Sequence, residues 1–183
     1  MSGPTIIFLN GTSSSGKTSI ARALQATLEE PYLYFSADIR KPMLPHYRED
    51  RGWSVADILG KLRHGYYGCI ATLSGFGNYV IADQAVERPE WMVQCAEALL
   101  HTRTFLIGVR CPREVAESRE RERADRTLGL VNEQFDVVHQ LGVYDIEVDS
   151  SALTPEECAE RIKAYVSSHE PAALKQIVDL KAT

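Results

Sequence analysis

Thr5-Ile6-Ile7-Phe8-Leu9-Asn10-Gly11-Thr12-Ser13-Ser14-Ser15-Gly16-Lys17-Thr18 is the stretch from which the rest of the chain can be read. Its first six residues are β-branched, aromatic or aliphatic almost throughout. That pattern predicts a strand buried on both faces, as in a parallel sheet. A loop of glycine and small hydroxyl residues follows, Gly11 to Gly16, and Ile20, Leu24 and Leu28 then recur every fourth position. They predict a helix over about 17–29. The segment from Gly11 to Thr18 matches G-x-x-x-x-G-K-[ST] at every fixed position, between a buried strand and an amphipathic helix. Glycines let successive N–H groups turn inward around a phosphate, and the helix adds its positive N-terminal end. A Ser/Gly turn that binds nothing would need none of this context.

Outward from that stretch, Pro31 ends the helix and Tyr32 to Ser36 reads as a second strand. From Asp38 to Tyr47 the pattern is lost among Pro42, Pro45 and His46. Ser54 can cap a helix running to about Ser74, although Gly60, Gly65 and Gly68 lie inside it. Tyr79 to Ala82 is a third strand ending in Asp83, and Pro89 suits the first position of a helix to Leu100. Thr104 to Val109 is a fourth strand, after which Pro112 starts a helix. Val143 to Val148 alternates, as an edge strand does. Thr154-Pro155-Glu156-Glu157 has the spacing of a capping box, opening a helix to about Val166, and Pro171 starts a last short helix or docked tail. Strands alternating with helices predict an α/β fold of three layers, of the P-loop NTPase/kinase type. Its centre is a five-stranded, mainly parallel sheet with helices on both faces.

The chain has 183 residues, 44% hydrophobic and 25% charged, which suits one globular domain over 1–183 and excludes a disordered or fibrous protein. A net charge of −5 argues against a nucleic-acid coat, though it leaves room for a small anion held by local positive charge. Cys69, Cys95, Cys111 and Cys158 form no C-x-x-C pair and read as reduced core thiols. No apolar run approaches a membrane span, and Met1-Ser2-Gly3-Pro4 lacks the features of a signal peptide. A cytoplasmic protein without membrane or nucleic-acid partners is expected, with a homo-oligomer left open.

In the loop, Gly11, Thr12, Ser13, Ser14, Ser15, Gly16, Lys17, Thr18 and Ser19 are the candidate nucleotide-binding residues. Lys17 should reach the β- and γ-phosphates of ATP and the Thr18 hydroxyl should ligate Mg²⁺. Asp38 and Asp83 follow the second and third strands, at the sheet end where ligands gather in open parallel sheets. Asp38 could take the proton of an attacking hydroxyl, and Asp83 could hold Mg²⁺ directly or through water. Each could also simply cap a loop. Asp57 reads as a residue that favours its own helix N-terminus.

Arg119, Arg123 and Arg126 fall at i, i+4 and i+7, on one helix face, with Arg121 pointing elsewhere. They form either a lid over ATP, placing guanidinium groups on its phosphates, or a solvated helix laced by Glu117–Arg121 and Glu122–Arg126 pairs. The lid would span 112–130, with Arg119 and Arg123 on the nucleotide and Arg123 and Arg126 at the reaction. The five histidines show no metal-ligand spacing, and His139 reads by default as packing. Trp53, Tyr47, Tyr66 and Tyr67 could line a pocket for a ring-bearing substrate, although aromatics there are more often core.

Together these residues resemble the chloramphenicol phosphotransferases and their relatives among the P-loop kinases. The resemblance runs through 6–18, Phe35-Ser36-Ala37-Asp38 and Val80-Ile81-Ala82-Asp83. It is densest from Gly108-Val109-Arg110-Cys111 through Ala116-Glu117-Ser118-Arg119-Glu120, Arg123-Ala124-Asp125-Arg126 and Val138-His139 to 144–149. It implies a kinase that transfers the γ-phosphoryl group of Mg·ATP to a hydroxyl of a small molecule, an antibiotic such as chloramphenicol among them. It also implies that Asp38 is the general base. Gln84 departs from the family, which has a second aspartate there, and 39–78, the acceptor-binding segment, matches poorly. A nucleoside, nucleotide or sugar kinase therefore stays open. So do a nucleotide-dependent switch protein without a small acceptor and a toxin-like regulator acting on a sugar nucleotide or RNA end.

Overall fold

The computed structural model describes residues 3–44, 52, 54–122 and 129–181. β1 (Thr5–Asn10) is buried at every position because it is the central strand. It pairs in parallel with β3 (Tyr79–Gln84) on one side and β4 (Arg103–Arg110) on the other. β2 (Tyr32–Ser36) lies outside β3 and β5 (Ile146–Asp149) outside β4, giving the order β2-β3-β1-β4-β5. Every pairing is parallel, so the sheet is wholly rather than mainly so.

Alternation along the strands sends side chains into two cores. Ile6 and Phe8 join Val80, Ala82 and Leu106 under α3 (Val55–Gly75), α4 (Pro89–Leu99) and α8 (Ala173–Lys181). Ile7 and Leu9 join Ile81, Phe105 and Ile107 under α1 (Lys17–Thr27) and α7 (Pro155–Ser168). The helix starts follow local chemistry. The Ser54 hydroxyl accepts the Asp57 N–H at 3.2 Å, and Asp57 itself lies in the first turn of α3. Thr154 and Glu157 exchange reciprocal bonds as the predicted capping box. α3 runs unbroken through its three interior glycines, anchored by buried Tyr66, Tyr67 and Ile70.

The sequence reading needs several corrections. β5 begins at Ile146, later than expected. Tyr144 instead turns inward towards Asn10, and Asp145 accepts the N–H groups of Leu106, Ala172 and Ala173, tying α8 to β4. The patternless stretch after Asp38 holds a 3₁₀ turn, Ala37–Ile39, running into α2 (Arg40–Met43). After α5 (Arg113–Glu122) comes an unforeseen short helix, α6 (Leu130–Phe135). Of the free thiols, Cys95, Cys111 and Cys158 are buried as expected, but Cys69 is exposed. Among the described residues no helix is long and apolar enough to cross a membrane.

Phe8 fills the core under α3 and is fully buried. Phe8→Ala should therefore cost about 3–5 kcal/mol, read as a lowered midpoint in equilibrium denaturation with an unchanged slope.

Candidate active site

The loop after β1 is shaped by a backbone approach that only glycine allows at its first position. A Cβ on Gly11 would lie 2.6 Å from the Val109 carbonyl oxygen and 2.7 Å from Ser15 Oγ. Ser14 takes φ 57° and Gly16 φ 89°, two left-handed residues that curl the backbone into a nest. Gly16 is also the N-cap of α1, with no side chain capping the helix and no acid in its first turn. The helix N-terminus thus keeps its positive end uncompensated. The buried hydroxyls of Ser14 and Ser15 have no hydrogen-bond partner among the described residues. Lys17 Nζ donates back to the carbonyls of Gly11 at 2.9 Å and Thr12 at 2.7 Å. Orphaned hydroxyls, an uncapped helix and a lysine arched over the turn all fit a phosphate.

Asp38 and Asp83 meet this loop in one cleft of about 250 Å³, whose wall includes Ser13, Ser14, Gly16, Lys17 and Thr18. Asp38 stands exposed at its mouth, in the 3₁₀ turn begun when the Ser36 hydroxyl accepts the Asp38 N–H. Asp83 is only 4% exposed. Its Oδ2 accepts the Tyr34 hydroxyl at 2.9 Å, and that hydroxyl lies 3.5 Å from Thr18 Oγ1. The Tyr66 hydroxyl sits 2.8 Å from the Phe35 carbonyl and 2.9 Å from that of Asp83, fastening the ends of β2 and β3. Burial, then Asp83, pushes both tyrosines above their ordinary pKa, so both stay donors. The described residues contain no group of three or more His, Cys, Asp or Glu that could cage a metal alone. Thr18 and Asp83 suit Mg²⁺, which commonly completes its shell with phosphate and water.

The arginines are distributed differently. Arg119 donates to Ser150 Oγ at 3.0 Å and to the Ser150 carbonyl at 2.8 Å, fixing the loop after β5 beside Gly16 and outside the cleft wall. Arg121 pairs with Glu117 at 3.9 Å. Arg110 and Arg113 are ion-paired with Glu147 and Asp136. Arg123 and Arg126, with Tyr47 and Trp53, lie outside the described residues. Tyr66 and Tyr67 are core, as the default reading had it. Of the loop residues, Gly11, Thr12, Ser15 and Ser19 do not line the cleft.

A family model described as "Chloramphenicol phosphotransferase-like protein" matches residues 4–167. The chain belongs to this family. Its members are small-molecule phosphotransferases of the P-loop kinase class. A Mycobacterium tuberculosis (strain ATCC 25618 / H37Rv) protein named as a candidate O-phosphotransferase is 28% identical over 195 residues, covering 94% of this chain and 87% of its own. Solved structures share the fold. A sugar kinase from Janibacter sp. HTCC2649 superposes with a TM-score of 0.67 at 17% identity, covering 90% of this chain and 95% of its own. The M. tuberculosis APS kinase CysC, in complex with AMPPNP and APS, gives 0.66 at 14% identity, covering 92% and 100%. Shikimate kinase from Aquifex aeolicus gives 0.55 at 20%, covering 88% and 96%.

This family member also has supports that the sequence reading missed. Asn10, fully buried, accepts the Val86 N–H at 2.9 Å and donates to the Val138 carbonyl at 3.1 Å and the Tyr144 hydroxyl at 2.8 Å. The Tyr144 hydroxyl, which accepts from Asn10, also shares a hydrogen bond with His139 Nδ1, 2.7 Å away. Gln134 on α6 accepts the Ser13 N–H at 2.6 Å and donates to Glu87 at 2.8 Å, bridging the phosphate loop to the far cleft wall. α6 is held by the buried carboxylate of Glu120, which accepts the N–H groups of Gly129 and Val131. A polar residue ending a buried strand was the available signal for Asn10; nothing local marked Gln134.

Burial, then Arg110 and Lys17, lowers the His139 pKa from 6.5 to about 4. The unfolded chain therefore binds the proton first as pH falls. Stability should be full above pH 6.5 and decline from there towards pH 4, a decline that His139→Gln should flatten in pH-dependent denaturation.

Proposed function

We propose that this enzyme moves the γ-phosphoryl group of Mg·ATP to a hydroxyl of a small molecule. One observation carries the reading: the phosphate loop, Asp38 and Asp83 face a single cleft. The name of the M. tuberculosis relative supports transfer to oxygen.

In this reading Gly11 to Ser19 hold the triphosphate through the loop amides and the α1 N-terminus, and Arg119 borders the nucleotide from the β5 side. Lys17 swings from its carbonyls to the β- and γ-phosphates, where it offsets charge. Asp38 accepts the acceptor's hydroxyl proton as that oxygen bonds to the γ-phosphorus and the bond to the β–γ bridging oxygen breaks, releasing ADP. Thr18 and Asp83 would hold Mg²⁺, which supplies charge neutralisation at the phosphates. Arg123 and Arg126, in the arginine-rich lid expected over 112–130, are proposed to meet the phosphoryl group in flight. The segment 39–78 shapes the acceptor side of the one domain.

Acceptor-dependent ADP release, run against antibiotics including chloramphenicol, nucleosides, sugars and hydroxy acids, tests the reading. Stimulation by one small molecule supports it, and release only with a protein present overturns it. Lys17→Ala and Asp38→Asn should each lower kcat by about 10²-fold or more. Near-normal turnover in Asp38→Asn removes the base assignment.

A further inference from the structure

Beside the cleft, Arg40, Arg63 and Arg88 lie near enough for their charges to act on one another. Arg40 lines the cleft two residues after Asp38. Its Nε donates to the Ala37 carbonyl at 3.0 Å, and its guanidinium lies 5.5 Å from the centre of the Tyr66 ring, which fixes its direction. Arg63 reaches from α3 to lie 3.7 Å over the Trp91 ring of α4. Arg88, just past the cleft residue Glu87, is 5.0 Å from that ring and pairs at the surface with Glu90. Among the described residues no carboxylate comes within ion-pair distance of Arg40 or Arg63, and Arg63 Nε is buried with no hydrogen-bond partner. Burial first, then Arg40 and Arg88, lowers the Arg63 pKa, with Tyr67 and Glu87 acting in the opposite sense. Arg40 lines the cleft itself, while Arg63 and Arg88 stand behind it on α3 and ahead of α4.

Of the three acids that line the cleft, Asp38, Asp83 and Glu87, two are hydrogen-bonded elsewhere, and Glu87 still favours the Arg63 charge. Asp83 accepts from Tyr34, and Glu87 accepts from Gln134. Two guanidinium groups held against aromatic rings, with no carboxylate at ion-pair distance among the described residues, suit a planar or tetrahedral oxyanion. Like charges kept together at a cost to the fold are stabilised when a ligand brings the missing negative charge.

We propose that the acceptor carries, besides its reacting hydroxyl, an oxyanion group of carboxylate or phosphate type, gripped by Arg40 and Arg63 with Arg88 at the rim. The proposal rests on the phosphotransferase reading for the hydroxyl and adds the substrate class. A neutral acceptor such as chloramphenicol would leave these charges unanswered.

The full-length protein, carrying Trp53→Phe so that Trp91 alone reports, is first titrated with Mg·AMPPNP by calorimetry to fill the phosphate loop. Sodium malonate or inorganic phosphate is then added, against sodium chloride at equal ionic strength, while Trp91 fluorescence is followed. A saturable response to malonate, to phosphate or to both is expected. Malonate alone would mean a carboxylate acceptor, and phosphate alone a phosphate-bearing one. Arg40→Gln and Arg63→Gln should each raise the midpoint at least about tenfold, as loss of one charge-assisted contact does, and Arg63→Lys should recover part of it. Melting temperatures confirm that each variant folds. A response equal to that of chloride, or midpoints unchanged in both glutamine variants, overturns the proposal. If AMPPNP binds but the anions do not, only the acceptor class falls. If AMPPNP fails to bind while the anion response still depends on Arg40 and Arg63, only the phosphotransferase reading falls.

Discussion

The structure depends on one close approach: the backbone at Gly11 passing against the Val109 carbonyl, where no side chain fits. That contact locks the turn after β1 against the neighbouring strand. From there Ser14 and Gly16, both left-handed, turn the amides inward, and α1 starts without a cap. Burial of β1 on every side supplies the rigidity, since a fully buried central strand cannot shift without disturbing both cores. The cradle is therefore built by the sheet.

The carboxylates are positioned by a different device. Tyr66 fastens the ends of β2 and β3 to each other, and Tyr34 ties the Asp83 carboxylate to the neighbourhood of Thr18. Burial, complete for Tyr66 and partial for Tyr34, raises both phenol pKa values, so these bonds persist across the physiological pH range. Asp38 is left exposed at the mouth of the cleft. Asp83 is buried and anchored near Thr18 while Asp38 is exposed, so the two acids differ in environment as the two roles proposed for them require.

Much of this was legible in the residues. The buried run into Gly11-x-x-x-x-Gly16-Lys17-Thr18 located the loop, and the expected carboxyl ends of the second and third strands placed Asp38 and Asp83 beside it, because local pattern and sheet direction suffice for both. The alternation of 143–148 pointed to a strand, yet Tyr144 and Asp145 serve long-range bonds to Asn10, Leu106 and α8 that no periodicity encodes. α6 is too short to show a helical repeat, so Gln134 and its bond to the Ser13 amide stayed invisible. The likeness of Arg119 to a solvated or lid residue hid a third use, as the clasp on Ser150 beside the loop. Arg40 and Arg63 are far apart in sequence, and only the packing of Arg63 on Trp91 and of Arg40 on Tyr66 shows where their guanidinium groups are held.

The central claim is that the loop amides, assisted by Lys17, hold the phosphates. Amide proton and nitrogen NMR on uniformly ¹⁵N-labelled protein, with and without a saturating magnesium complex of a non-hydrolysable ATP analogue, tests it most directly. Charge-assisted bonding to phosphate should move the Gly16, Lys17 and Thr18 amide protons strongly downfield and slow their exchange with solvent. Resonances of those three residues that stay in place while the analogue binds elsewhere would contradict the account.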